Sequence, residues 1–172
     1  AVGSQRDQVY DGGTAPAVMV LMDTSQAMAE RASRAGVSET PKIEAARGAA
    51  LDLLASWPVL VDVGLMTYPA GGEDDDGCPG ADTVVPLGSS TSEAMRAVRG
   101  LSTDGGTPTS RALRDAGAAL EAGGADDGAL IVLISDGEAN CGPPPCDTAK
   151  ELQGRGFDVV INTIGFDVDA RA

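Results

Sequence analysis

The 172-residue sequence predicts a single α/β domain with a doubly wound, mostly parallel, Rossmann-like sheet and helices on both faces. Two observations carry this prediction. Apolar runs typical of strands alternate with segments whose apolar residues recur at helical spacing. Several of these runs are apolar throughout, as expected for strands buried on both faces of a sheet. Residues 1–15 are polar and glycine-rich, so we assign them to a lead-in and the domain to 16–172.

The first half of the chain opens with an apolar strand at 17–23. Thr40-Pro41 then predicts a helix start, with threonine as the cap and proline at the first helical position. Apolar residues continue at helical spacing to about residue 56, and a second strand follows at 59–68. The next loop, 69–82, is acidic but lacks the ligand spacing of an EF-hand, so we expect a solvated loop there.

The middle of the chain predicts the edge of the sheet. A short strand at 83–87 contains Pro86, and proline within a sheet is confined to edge strands, bulges and strand starts. We therefore expect this segment to be the one short antiparallel edge strand. Helical patterns follow at 90–101 and, after a Gly-Gly turn, at 108–122.

The last third repeats the alternation of strand and helix. The run at 129–135 is the most strand-like in the sequence, Asp147 is a candidate cap for a helix that extends to about 153, and 157–165 is a further strand. One more helix and strand would be expected after it. The sequence as given therefore predicts a domain that lacks its last helix and strand.

The composition excludes several classes of function. The chain has no histidine, which removes Ser-His-Asp and Cys-His catalysis and histidine-ligated metals. The formal net charge of −14 would repel phosphates, so neither nucleic acid nor an anionic membrane is an expected partner. No apolar stretch approaches the length needed to cross a bilayer, and we expect no direct membrane insertion.

The three cysteines indicate the compartment. Cys141 and Cys146 flank a stiff Gly-Pro-Pro-Pro turn, a spacing that favours a disulfide between them. The alternative is half of a zinc site, although the chain has no second pair to complete it. A disulfide predicts an oxidising, extracytoplasmic setting. Cys78 would then be unpaired, with a partner expected outside this chain.

Oxygen-bearing side chains follow the predicted strand ends. Asp23 and Ser25 come directly after the first strand, Thr107 opens a helix after the Gly-Gly turn, and Asp136 follows the strand at 129–135. Because the ends of parallel strands lie at one edge of a sheet, these side chains can converge. Hydroxyl and carboxylate oxygens with few charges suit Mg²⁺.

The three segments Asp23-Thr24-Ser25, Gly105-Gly106-Thr107-Pro108 and Ser135-Asp136-Gly137 resemble, in this order, the metal-site loops of von Willebrand factor type A domains. The resemblance covers about residues 17–168 and implies a metal-ion-dependent adhesion site. By this resemblance Asp23 would act mainly through water and Ser25 through its hydroxyl. Thr107 would bind directly or through water, and Asp136 would hold a coordinating water. The metal would be Mg²⁺, with Mn²⁺ or Ca²⁺ as substitutes.

The resemblance also implies the kind of partner. Members of the family bind a protein ligand whose Asp or Glu carboxylate completes the metal shell. This chain departs from the motif at one position, because Ala27 stands where the family carries a second ligating serine. We therefore expect weakened Mg²⁺ binding.

The cysteine loop is similar to that of bacterial secreted or envelope-anchored members of the family. These members carry a short Cys-Pro-rich loop after the Asp-Gly pair, here from Asp136 to Cys146. They often have a further cysteine in the last helix, which the resemblance implies as the partner of Cys78.

Three functional hypotheses follow. The leading one is an extracytoplasmic protein-binding or adhesion module that captures an acidic partner side chain through the variant metal site. A structural scaffold with a degenerate, metal-free site is the second. The third is a regulatory subunit of an ATPase machine, which the Cys141 and Cys146 pair disfavours. No enzymatic activity is expected, because nothing in the sequence indicates a substrate pocket near Asp23 and Asp136.

Overall fold

The computed structural model describes residues 16–31, 40–57, 61–70, 78–125, 128–136 and 138–163. The secondary structure of these residues alternates between strands and helices. In chain order the elements are β1 (Ala17–Asp23), a 3-10 helix (Gln26–Ala29), α1 (Lys42–Ser56), β2 (Asp62–Tyr68), β3 (Asp82–Ser89), α2 (Thr91–Arg99), α3 (Thr109–Ala122), β4 (Leu130–Ser135), α4 (Pro145–Gly154) and β5 (Asp158–Thr163).

The five strands form one sheet in the order β3-β2-β1-β4-β5. β1 is parallel to both of its neighbours, β2 and β4, and β5 is parallel to β4. β3 pairs antiparallel with β2 and lies at the edge. The predicted fold class, a doubly wound and mostly parallel sheet with one antiparallel edge strand, is confirmed.

The apolar core lies on both faces of this sheet, because successive side chains of a strand point to opposite faces. On one face, Val18, Val20 and Met22 of β1 pack with buried residues of α1 and α2. On the other face, Met19 and Leu21 pack with buried residues of α3 and α4. The prediction of helices on both faces is therefore confirmed, and β1 is buried along its whole length.

Two helix starts differ from prediction. Pro41 is the N-cap of α1, so Lys42 rather than Pro41 is the first helical residue. α4 begins at Pro145, and Asp147 lies in its first turn instead of capping it. The fixed φ of proline suits the first turn of a helix, where its missing N–H is not needed, and so the helix starts three residues earlier than a cap at Asp147 would place it. The acidic stretch 73–76 and the lead-in 1–15 lie outside the described residues.

Candidate metal site

The candidate site lies where the strand order reverses. Asp23 is the last residue of β1, and Asp136 directly follows Ser135, the last residue of β4. These adjacent parallel strands connect to opposite sides of the sheet, since β1 continues to β2 and β4 continues to β5. Open α/β sheets bind ligands in the crevice at such a switch point, outside the carboxyl ends of the strands. The fold thus brings two predicted site residues together at its expected ligand-binding position.

Asp23 is fully buried and held by neutral donors. Its Oδ1 accepts a hydrogen bond from the Ser25 N–H at 2.9 Å, and its Oδ2 accepts one from the Ser135 hydroxyl at 2.8 Å. Burial raises the pKa of Asp23, the hydrogen bonds from Ser25 and Ser135 oppose the shift, and the nearby charge of Asp136 adds to it. The donors fix the orientation of the carboxylate without neutralising its charge.

Ser25 carries the observation that tests whether these residues fit a metal. Its side chain is fully buried, and its Oγ lies beside the Asp23 carboxylate but makes no hydrogen bond of good geometry to any described residue. A buried hydroxyl without a partner costs about 1–3 kcal/mol, so such groups in native proteins call for an explanation. A hydroxyl oxygen next to a buried, unneutralised carboxylate is a donor set that Mg²⁺ prefers. The residues present therefore fit the metal that the sequence resemblance implies.

The loop that carries Thr107 is joined to the loop after β1. Gln26 N–H donates to the Gly105 carbonyl at 2.9 Å, and Asp104 N–H donates to the Thr24 carbonyl at 2.8 Å. Gly105 has a φ of +74°, and a Cβ there would lie 2.7 Å from Cγ of Pro69, so the close approach of this turn to the segment after β2 requires glycine.

Thr107 itself is buried and held from the other side by Asn140. Its N–H donates to Asn140 Oδ1 at 2.8 Å, and the Asn140 N–H donates to the Thr107 carbonyl at 3.3 Å. The loop after β4 therefore fixes the Thr107 loop, which in turn contacts the loop after β1. Three segments that are distant in sequence form one connected edge.

Asp136 is paired with a residue that the sequence did not predict. Its Oδ2 lies 2.9 Å from Nζ of Lys42, and the two side chains are 3% and 13% exposed. Its Oδ1 accepts a hydrogen bond from the Glu138 N–H at 3.2 Å. Burial lowers the pKa of Lys42, but the ion pair with Asp136 outweighs burial and raises the pKa above its ordinary value. Gly137, the third residue of the predicted motif, lies outside the described residues.

A signal in the sequence could have identified Lys42. The helix predicted after the first strand begins at the same edge as the strand-end aspartates, and Lys42 belongs to its first turn. Asn140 and Tyr68 had no comparable signal. Tyr68 is buried beneath the site, and its pKa is raised by burial and then by the charge of Asp23.

The four predicted ligands Asp23, Ser25, Thr107 and Asp136 would hold the metal, and this assignment stays a prediction. Within the described ranges, no group of three or more Cys, Asp or Glu side chains is arranged to bind a metal ion, so carboxylates and thiols alone do not form such a site. Ala27 lies in the 3-10 helix and is half-buried, with no side-chain oxygen to offer.

The predicted disulfide is wrong. Cys141 is bonded to Cys78, with their Cα atoms 5.9 Å apart, and Cys146 is a free, exposed cysteine. Cys146 belongs to the first turn of α4, because the helix starts at Pro145, and its side chain is directed to solvent. Cys141 lies in the preceding loop, where it meets the segment before β3. Cys78 is therefore not left for a partner outside the chain, and Cys141 is not half of a zinc site.

A groove of about 430 Å³ opens beside the candidate site. It is lined by the residues after β2, including Pro69, by Leu101 and Ser102 after α2, and by the turn from Asp104 to Gly106. Thr24 of the β1 loop also lines it. The sequence did not indicate this groove, because its walls come from three segments that only the fold brings together.

A doubly wound sheet with hydroxyl and carboxylate groups at its switch point defines an open α/β domain of the kind that places its ligand sites there. Residues 18–138 match the von Willebrand factor type A domain, and the chain belongs to this family. The family resemblance found in the sequence is thereby confirmed.

Comparisons with individual proteins agree with this membership. Over 160 residues the chain is 30% identical to the uncharacterized protein YwmC of Bacillus subtilis (strain 168), covering 89% of the chain and 67% of YwmC. An aerotolerance-related membrane protein from Bacteroides fragilis NCTC 9343 has a similar structure, with a TM-score of 0.63, 20% identity, and coverage of 84% of the chain and 65% of that protein.

The pilus adhesin SpaC from Lactobacillus rhamnosus GG, in its open conformation, is also similar, with a TM-score of 0.64, 19% identity, and coverage of 91% of the chain and 25% of SpaC. At such identities, structural similarity shows the fold alone. The chain spans 25% to 67% of the length of these three proteins. Among the described residues, no helix is long and apolar enough to span a membrane.

Proposed function

We infer that this chain is an extracytoplasmic protein-binding module that captures an acidic side chain of a partner protein through Mg²⁺ at the edge formed by β1 and β4. The observation that carries the proposal is the buried Ser25 hydroxyl, which makes no hydrogen bond of good geometry among the described residues and lies beside the Asp23 carboxylate. Bound Mg²⁺ would supply a Lewis acid, and Asp23, Ser25, Thr107 and Asp136 would hold it while an outside carboxylate completes its ligands.

The surroundings of the site support a protein partner. The adjacent groove, about 430 Å³ in volume, can accept residues that flank the captured carboxylate. Its lining combines apolar residues such as Pro69 and Leu101 with polar ones such as Thr24 and Asp104, a mixture suited to a peptide. A pilus adhesin shares this fold, which is in keeping with an adhesive role.

The compartment is proposed from the Cys78–Cys141 disulfide. Disulfides persist in oxidising environments and are rare in the cytosol. The same bond disfavours a cytoplasmic regulatory subunit of an ATPase machine.

Calorimetric titration with Mg²⁺ tests the proposal. We expect saturable binding to the wild type, because Asp23 and Ser25 present oriented oxygens. Ser25→Ala should weaken binding at least tenfold, which corresponds to about 1.4 kcal/mol. Ala27→Ser should strengthen it by several fold, because it restores the hydroxyl that the family motif carries. Mn²⁺ and Ca²⁺ titrations then rank the metals.

The acidic partner is tested with a probe of defined chemistry. A short capped peptide with one central glutamate should bind in Mg²⁺ and lose binding when EDTA is added. The same peptide with glutamine serves as the matched control and should not bind. Equal binding of both peptides would contradict carboxylate capture, even if Mg²⁺ itself binds.

A structural scaffold without metal is the second candidate. Ala27, which lacks a ligating oxygen, and the Lys42–Asp136 ion pair, which already neutralises one carboxylate, both favour it. A titration that is silent for the wild type and for Ala27→Ser, together with an unchanged melting temperature in Mg²⁺, would support the scaffold and reject the metal-dependent module.

A further inference from the structure

Lys42 links the candidate site to α1. Its ammonium lies 2.9 Å from Oδ2 of Asp136, in a pair whose side chains are 13% and 3% exposed. Asp136 is one of the two carboxylates at the site, and the other, Asp23, contacts only neutral donors in the hydrogen bonds described above. Among the contacts described above, the positive charge at the site is therefore the Lys42 ammonium, and it lies on the β4 side.

The backbone of Lys42 is held by a hydrogen bond, whereas its ammonium lies near more than one carboxylate. Lys42 N–H donates to the Glu30 carbonyl at 2.9 Å, which ties the start of α1 to the end of the 3-10 helix segment. The Glu30 carboxylate lies 3.9 Å from the ammonium and is 70% exposed. The charge of Glu138 also acts on Lys42. A small movement of the ammonium toward solvent would exchange Asp136 for these exposed carboxylates.

We propose that Lys42 competes with the divalent metal for Asp136. In the metal-free protein Lys42 neutralises Asp136, and when the metal binds, the Lys42 ammonium moves to pair with Glu30. This inference rests on the metal site of the proposed function. Two cations beside one buried carboxylate repel each other strongly where the dielectric is low. Metal binding must therefore displace the ammonium from Asp136 or bear that repulsion, and either effect lowers the affinity.

Lys42 also stabilises the metal-free protein. A buried carboxylate that lacks a partner is strongly destabilising. With Lys42 paired to it, Asp136 keeps its position and the loop after β4 keeps its contact with Thr107 through Asn140. The site can therefore bind and release metal without losing its shape.

Calorimetric titration of Lys42 variants with Mg²⁺ tests the inference on the full chain. Lys42→Met removes the charge and keeps the apolar stem, and we expect Mg²⁺ to bind about tenfold more tightly, or about 1.4 kcal/mol. Lys42→Gln also removes the charge but keeps a donor for Asp136, and it provides a second test should Lys42→Met fold poorly. Lys42→Arg keeps the charge and should stay close to the wild type.

Lys150 offers a matched control for the change in net charge. It is the only other lysine of the chain and is exposed on α4. Lys150→Met should alter the affinity for Mg²⁺ by less than about twofold, because exposed charges are screened by salt. An increase equal to that of Lys42→Met would assign the effect to net charge and overturn the inference.

The transfer to Glu30 is tested by a double-mutant cycle. Glu30→Gln should weaken Mg²⁺ binding about threefold in the wild type, since the displaced ammonium loses its alternative partner. In the Lys42→Met background the same change should have a smaller effect. Equal effects in the two backgrounds would contradict the transfer.

The outcomes separate this inference from the proposed function. If the wild type binds Mg²⁺ and neither Lys42→Met nor Lys42→Gln binds it more tightly, the competitor role is wrong and the metal site stands. If the wild type is silent and both variants bind, Lys42 excludes the metal from the native protein, so the competitor role is supported and the metal-dependent module is rejected. If the wild type, Ala27→Ser and both Lys42 variants are all silent, the metal site itself is rejected, and the competitor role with it.

Discussion

The carboxyl ends of β1 and β4 both bring a buried aspartate to the candidate site, but the loops that follow are held in different ways. After β1, the contacts are hydrogen bonds from neutral donors. Some of these donors bind the Asp23 carboxylate, and others bind backbone carbonyls, as Gln26 N–H does with the Gly105 carbonyl. After β4, the loop is held by an ion pair at Asp136 and by a disulfide at Cys141.

This difference separates two tasks. Neutral donors orient Asp23, and no hydrogen bond described above pairs its carboxylate or the Ser25 hydroxyl with a positively charged side chain, so the β1 end holds two oriented oxygens. The β4 end has its own cation and a covalent cross-link, and it supports the Thr107 loop through Asn140. We therefore expect changes at the β4 end to lower the free energy of unfolding, whereas removal of the Asp23 charge at the β1 end should raise it.

The largest effect is expected from loss of the disulfide. The Cys78–Cys141 bond closes a loop with a sequence separation of 63 residues. The chain-entropy model gives about 4 kcal/mol for a loop of this length. The double variant Cys78→Ser/Cys141→Ser should lose about this much free energy of unfolding in urea denaturation.

Cys146→Ser is the matched control for this experiment, because Cys146 is free and exposed. It should leave the free energy of unfolding unchanged within about 0.5 kcal/mol, as expected for a surface substitution. A large loss in Cys146→Ser together with a small loss in the double variant would contradict the observed pairing and restore the one predicted from the spacing of Cys141 and Cys146.

A smaller loss is expected when the contact between the two loops is broken. Asn140→Ala removes the acceptor for the Thr107 N–H and should lower the free energy of unfolding by about 1 kcal/mol. Asn140→Asp keeps an oxygen acceptor at the same position and should recover most of the loss. Thermal unfolding of the two variants in parallel gives the comparison, and equal losses would show that the hydrogen bond is not the cause.

The smallest effect, of opposite sign, is expected at the β1 end. Asp23→Asn in EDTA should raise the free energy of unfolding at pH 7 by an amount on the order of 0.5 kcal/mol, since removal of a buried charge is partly offset by weaker hydrogen bonds. The pKa of Asp23 in the folded protein is raised above its ordinary value of 3.8. The folded state therefore binds the proton more tightly than the unfolded state does.

The pH dependence follows from this sign. As pH rises above about 4, the wild type loses stability relative to the variant, and the loss is complete above the folded-state pKa of Asp23. Below the ordinary pKa both states carry the proton and the difference disappears. Urea denaturation of both proteins from pH 3 to pH 7 measures this difference. A difference that does not change with pH would rule out the charge of Asp23 as its source.

Local signals in the sequence were sufficient for the fold and for most of the site. Strand-forming apolar runs and helical spacing are properties of short segments, so β1, β4 and the helices between them could be predicted to within a few residues. Asp23, Ser25 and Asp136 could be assigned to one edge because parallel strands end on the same side of a sheet. The proline at 86 correctly indicated an edge strand.

Contacts between distant segments could not be predicted from such local signals. The proximity of Cys141 and Cys146 in sequence favoured a bond that the start of α4 at Pro145 prevents, because that helix directs Cys146 to solvent. Cys78 reaches Cys141 only because the segment before β3 and the loop after β4 meet in the folded domain.

By itself, then, the sequence determined the class of fold, the sheet edge that carries the candidate site and the oxygen-bearing residues present there, because each depends on local patterns repeated along the chain. Only the tertiary structure decided which cation neutralises Asp136 and which cysteine is bonded to Cys141. Lys42 and Asp136 are 94 residues apart and make their ion pair because α1 begins beside the end of β4. Side-chain contacts of this range depend on the packing of whole elements, which no single segment encodes.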